Sequence, residues 1–245
     1  MIVSHNELVA AVNKAFLGLR RCCGEADVVA NMVADLQIVG LNGVGHFNKA
    51  LAFLGSEKDI PVTITQPKLG HLIVDLQGGS LACHLPNIID YAVELLVHTK
   101  PLTITIRNCH NRWLAYSELV KLSAKGLACK AQWANGSDSK QTLYILNKGC
   151  VYPELFQSTK APVEPQGSHD MIIELAVTNF ALPALTSAGG VHFDASTLRE
   201  TQEFSWKNGI VVDDAEWKKL KQAATVFLVE NSETSSKGAG ELVVE

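Results

Sequence analysis

The apolar positions of this chain fall at helical spacing first and then, from about Pro61, in alternation. Ser4 and Glu7 have the spacing of a capping box, in which the hydroxyl caps the third helical amide and the carboxylate reaches back. Leu8, Val9, Val12, Phe16 and Leu19 follow at helical intervals, and Gly24 closes the turn after them. A second helix is predicted over roughly 25–39, with Val28, Val29, Met32, Leu36 and Val39 as its stripe. The run Gly40-Leu41-Asn42-Gly43-Val44-Gly45 breaks the pattern, and a third helix is predicted from about His46 to Leu54.

Strands are predicted at 62–65 and 72–76, the second ended by Gly78-Gly79. Pro86 suits the first turn of a helix that Ile88, Ile89, Ala92, Leu95 and Leu96 continue. A strand over 102–107, a polar turn, a helix from about Trp113 to Ala124, a stop at Gly126 and a strand over 127–134 then follow. That length fits a right-handed crossover between parallel strands. Further strands are predicted at 142–147 and 171–175. The segment 152–168, with Pro153, Pro162 and Pro165, reads as a surface connection. Asp213 or Asp214 caps a final helix through Trp217, Leu220, Ala224 and Phe227. The expected fold is α/β: a mixed, partly parallel sheet with flanking helices and an N-terminal helical cluster. The expected division is a helical segment 1–58, an α/β domain 59–230 and a small, polar tail 231–245.

Composition narrows the classes. Of the 245 residues, 47% are hydrophobic and 19% charged, which is enough to bury a large core. The net charge of −4, with no basic stripe, gives no reason to expect nucleic acid as a partner. No run approaches the ~18 apolar residues of a membrane span, and the first residues lack the pattern of a secretory signal. The six cysteines form no CxxC and no zinc-type pairing with His, so reduced thiols, a cytoplasmic location and no metal site are expected.

Candidate chemistry concentrates after the strand 102–107, where Asn108, Cys109, His110, Asn111 and Arg112 follow one another. Ligands of open α/β sheets bind beyond the carboxyl ends of strands. His110 titrates in the useful range and suits proton transfer, while a histidine in such a turn equally suits capping. Arg112 suits a carboxylate, or a surface ion pair. Cys109 reads as a small buried thiol rather than a nucleophile. His46 and His84 read as structural, and the His169-Asp170 pair has no motif around it.

Several strings, in their order, resemble the malate/L-lactate (sulfolactate) dehydrogenase-like family. Ser4-His5-Asn6-Glu7-Leu8 is similar to its opening Ser-x-x-Glu-Leu. Gly40-Leu41-Asn42-Gly43-Val44 stands where that family reads Asp-Ser-His-Gly-Val. Asn108-Cys109-His110-Asn111-Arg112-Trp113 is similar to Asn-Ser-x-His-Phe-Gly, and Asn135 ends a strand as an Asn does there. The resemblance covers roughly residues 4–136 and implies a divergent, shortened relative. The run Ser232 to Gly240 resembles the tail of a branch of that superfamily known only as a domain of unknown function.

The departures bear on activity. Asn42 replaces the first family His, and an amide cannot cycle a proton. His110 stands one place before the second, which Asn111 occupies. The family's Gly-Thr-Asn-Pro string is missing after Asn135, and no glycine-rich phosphate loop replaces it. NAD or NADP binding and hydride transfer are therefore doubtful expectations. The resemblance implies a pocket of Asn42, Asn108, His110, Arg112, Trp113 and Asn135 for a small anionic or carbonyl-bearing molecule, with His110 as the catalytic group. Three classes stay open: an oxidoreductase-like enzyme on a 2-hydroxy or 2-oxo acid, an isomerase or lyase on the same fold, and a non-catalytic binding or assembly protein. A homodimer is expected from the family.

Overall fold

The computed structural model describes residues 1–21, 23–55, 61–96, 101–135, 138–158, 169–183 and 190–226. Helix α1 (His5–Leu17) begins where Ser4 Oγ accepts from the Glu7 amide at 3.2 Å, and it buries Leu8, Val12 and Phe16. Helix α2 (Cys23–Ile38) is packed by α1, by α3 (Gly43–Leu54) and by later helices, which is why its buried positions run nearly all round it. Helix α3 starts at Gly43 rather than near His46. Asn42 takes a left-handed conformation (φ 53°) and its side chain accepts from the Gly45 amide at 3.2 Å, so the glycine run is a helix start and not a loop. A side chain at Gly43 would collide with the Val33 carbonyl of α2, so glycine is what lets the two helices close. Helix α7 (Asp214–Thr225), capped by Asp213, packs on α1 and α3.

Eight strands form one sheet: β2 (Thr63–Lys68), β3 (His71–Asp75), β4 (Leu102–Arg107), β5 (Ala128–Asn135), β6 (Asp138–Leu146), β7 (Glu154–Ser158), β8 (Met171–Ala176) and β9 (Val191–Phe193). Their order is β2-β3-β4-β8-β5-β6-β7-β9. Among the described strands only β3 and β4 pair in parallel, joined by helix α4 (Leu81–Leu96); the other neighbours are antiparallel. The sheet is thus mixed and partly parallel, with helices flanking it.

Three details differ from the sequence pattern. Strands β4 and β5 are not neighbours, because β8 lies between them, with Ile173 opposite both Ile104 and Ala131. Met171, Ile173 and Leu175 are fully buried, so β8 is apolar enough to take the centre of the sheet. Pro86 lies inside α4 rather than in its first turn, because burial of Leu81, Ala82 and Leu85 starts the helix earlier. The segment read as a surface connection contains β7, which pairs with β6 and buries Leu155.

Helix α5 (Tyr116–Ala124) follows a short 3-10 turn, Arg112–Ala115. Helix α6 (Ala195–Asn208), capped by Asp194, buries only Leu198 and Ser205. Strand β10 (Ile210–Val211) pairs with β1 (Ile2–Val3). One connected core joins Phe16, Met32 and Phe47 of the helices to Leu72, Ile104 and Ile173 of the sheet. Phe227 and the tail 231–245 lie outside the described residues. No helix among the described residues is long and apolar enough to cross a membrane.

Candidate functional site

Strand β4 alternates buried Leu102, Ile104 and Ile106 with half-buried Thr103 and Thr105, which fixes it in the sheet up to Arg107. Asn108 then turns the chain through a left-handed conformation (φ 50°). The first three backbone amides of the turn are taken. Asn108 donates to Asp170 Oδ1 at 3.2 Å, Cys109 to the His169 carbonyl at 2.8 Å and His110 to the Gly79 carbonyl at 3.1 Å. The turn is therefore clamped between the loop after β3 and the residues that lead into β8. Asn108 Nδ2 also donates to Asp75 Oδ1 at 3.0 Å, tying together the carboxyl ends of the two parallel strands.

Helix α3 covers this turn with two rings on one helical face, about two turns apart. Phe53 stacks on His110 (ring centroids 4.3 Å apart, 18° between planes), and His46 stacks on Trp113 (5.3 Å, 24°). Trp113 meets Trp133 of β5 edge-on at 5.3 Å. His110 also lies 4.8 Å from the His169 ring, tilted by 58°. A half-buried imidazole is thus held between an aromatic ring and a second imidazole at the carboxyl ends of β3 and β4.

The electrostatics sort the candidates. Burial, with Lys49 nearby, pushes His46 down to about 4, so it is neutral at pH 7 and cannot cycle a proton there. Burial pushes the Cys109 thiol up to about 11 against the opposing pull of Arg112, which removes it as a nucleophile. Arg112 is buried. Its Nη1 donates to the Cys109 carbonyl at 2.6 Å and its Nη2 to the Ala134 carbonyl at 2.7 Å. It fastens the turn to the end of β5, where the sequence suggested a carboxylate ligand or a surface ion pair.

Of the sequence candidates, Asn108, His110, Arg112 and Trp113 meet at one turn. Asn42 is exposed and its side-chain hydrogen bond stays within the start of α3. Asn135 ends β5, and its side chain lies outside the described residues. Phe53, His169 and Asp170 join the site from distant elements, and no local motif announces them. Asn111, the residue in the family's His place, also starts its helical turn left-handed (φ 60°). Its buried Oδ1 has no hydrogen-bond partner among the described residues. An orphaned buried acceptor is costly and marks a position where a donor is wanted.

The first three amides of this turn are not free to hold a pyrophosphate. A pyrophosphate needs free backbone amides at a glycine-rich turn. Here the amides of Asn108, Cys109 and His110 are already bonded, and residues 107–112 contain no glycine. Among the described residues no group of three His, Cys, Asp or Glu is arranged to hold a metal ion.

Residues 3–71 match a family model described as a protein of unknown function, DUF3726. No curated protein matches the sequence. The structure is similar to that of a dehydrogenase from Sinorhizobium meliloti, at 12% identity and a TM-score of 0.69, over 91% of this chain and 99% of the other. Malate dehydrogenase from Pyrococcus horikoshii is similar at 11% identity and a TM-score of 0.70, over 95% and 97% of the two chains. Sulfolactate dehydrogenase from Methanocaldococcus jannaschii is similar at 11% identity and 0.67, over 93% and 97%. The chain has the malate/sulfolactate dehydrogenase-like fold, with an N-terminal part that matches a family of unknown function.

Proposed function

We propose that this protein is an oxidoreductase-like enzyme acting on a small 2-hydroxy or 2-oxo acid, with His110 as its proton-transferring group. The observation that supports it most is the seat of that imidazole, between Phe53 and His169 at the carboxyl ends of β3 and β4. A base there takes the proton of a substrate hydroxyl, or returns it to a carbonyl oxygen, and the neighbouring imidazole relays it toward solvent. Asn108 and Trp113, at the same turn as His110, are the proposed ligand-binding residues, and Asn42 and Asn135 belong to the set only through the family resemblance. Arg112 acts through the turn it fastens, as a positioning residue. The hydride half of the reaction needs NAD or NADP as hydride acceptor or donor, and the amides of Asn108, Cys109 and His110, already bonded, are not assigned to hold it.

The bonded amides of Asn108, Cys109 and His110 favour a second reading, an isomerase or lyase that moves a proton beside a carbonyl and needs no dinucleotide. Turnover of malate, lactate and sulfolactate with NAD or NADP, set beside their isomerisation or elimination without it, separates the two. Thermal melting with NADH or NADPH adds an independent readout, since a ligand of the folded state must raise the midpoint. His110→Ala should cost about a hundred-fold or more in turnover with the fold retained. Full activity in that variant would overturn His110 as the proton-transferring group in both readings, and no turnover by the unaltered protein in either assay would leave a non-catalytic binding protein. A homodimer belongs to the same proposal, and the exposed Ile2, Trp206 and Val211 near the β1–β10 pair are the surface offered for it. A monomeric mass in light scattering would count against it.

A further inference from the structure

A cleft of about 190 Å³ opens between α2, α5, α6 and the bend at Val151–Tyr152, and it shares no lining residue with the β4 turn. Its lining includes Asp35 of α2, Tyr116, Ser117 and Lys121 of α5, Tyr152, and Gln202 of α6. Lys121 is paired with Glu118 at 2.5 Å, so these two charges cancel. Asp35, which the His5 ring also approaches, has neither a hydrogen bond nor an ion pair among the described residues. Its burial holds the carboxyl above the usual range. Ser117 is only 5% exposed, and its Oγ has no hydrogen-bond partner among the described residues. Burial keeps the Tyr116 phenol protonated, with Tyr152 and Asp35 beside it. The cleft therefore holds one unpaired carboxylate, a ring of neutral hydroxyls and two aromatic faces. A partly desolvated carboxylate is costly without a cation, and aromatic faces beside it attract the same charge.

We infer that this cleft binds a small amine-bearing molecule, whose ammonium pairs with the Asp35 carboxylate and donates to the Ser117 hydroxyl. Two features combine in favour of an amine over an acid or a plain polyol. With Lys121 held by Glu118, Asp35 is the charged group of the lining that has no ion pair among the described residues, and the unsatisfied Ser117 hydroxyl beside it can accept. The cleft is independent of the proton-transfer site, so it stands or falls separately from the reading of His110.

Calorimetric titration of the full chain with ethanolamine hydrochloride tests this, with ethylene glycol as the neutral analogue and sodium chloride as the ionic blank. Saturable one-to-one binding of ethanolamine is expected, with no binding of the other two. Asp35→Asn should weaken ethanolamine by about ten-fold or more, and Ser117→Ala by roughly two- to five-fold. His110→Ala should bind it as the unaltered protein does. Absence of ethanolamine binding would overturn the inference. So would equal binding of ethylene glycol, heat no greater than that of sodium chloride, an unchanged affinity in Asp35→Asn, or a matching loss in His110→Ala. The comparison of ethanolamine with ethylene glycol involves no substitution, so a misfolded variant leaves the test intact.

Discussion

His46 lies stacked on Trp113, with ring centroids 5.3 Å apart and 24° between the planes, and this contact fixes α3 over the turn that carries His110. The stack needs a neutral imidazole in a buried place, which ties the geometry of the site to pH. His46 titrates at about 4 in the folded protein against 6.5 when free. The unfolded chain therefore binds the extra proton between these values, and stability falls as pH drops through that window. The full effect is about 3 kcal/mol, reached below pH 4. Urea denaturation at pH 7 and at pH 4.5 should show this loss, and His46→Phe should remove most of His46's share. An equal pH dependence in His46→Phe would contradict it.

Arg112 bridges the carbonyls of Cys109 and Ala134 with two of its nitrogens. Arg112→Met leaves both carbonyls without these donors and should cost about 2–4 kcal/mol in denaturant stability. Arg112→Lys should recover little, because one ammonium does not reproduce a planar fork. A midpoint unchanged in Arg112→Met would show that the buried guanidinium does not hold the turn.

Asn42 combines a left-handed backbone with a cap on α3. Asn42→Ala loses the cap and strains the backbone, for about 1–2 kcal/mol together, while Asn42→Asp keeps an acceptor and should be nearly neutral. Thermal melts of the two variants check the difference. Equal midpoints would mean that the side chain contributes nothing as a cap.

Cys109 is fully buried with a thiol at about 11, whereas Cys23 and Cys150 are exposed. Alkylation of the native protein at pH 8, followed by peptide mass analysis, should modify Cys23 and Cys150 readily and leave Cys109 intact until denaturant is added. Labelling of Cys109 at the rate of Cys150 would contradict its burial.

Much of this architecture is legible in the sequence where one face of an element is clearly apolar. The cap at Ser4, the alternation of β4 and the turn at Asn108 are all of that kind. Helix α6 escapes because it buries only Leu198 and Ser205 and so has no stripe to read. Strand β7 escapes for a similar reason, lying between prolines with Leu155 as its one fully buried side chain. The crossing of β8 between β4 and β5 is set by which strand best tolerates burial, and local spacing does not encode that. The same limit applies to the site. His110 stands out in its turn, but Phe53 and His169 reach it only through the placement of α3 and the entry to β8.

A His110 that exchanges a proton with a bound hydroxy or oxo acid must sense that acid at its ring nitrogens. Imidazole nitrogen resonances, followed by long-range proton–nitrogen NMR while malate is titrated into the full chain, test it most directly. A saturable shift is expected at both ring nitrogens of His110, a smaller one at His169 and none at His46. Resonances of His110 that stay in place at saturating malate, lactate and sulfolactate alike would contradict it.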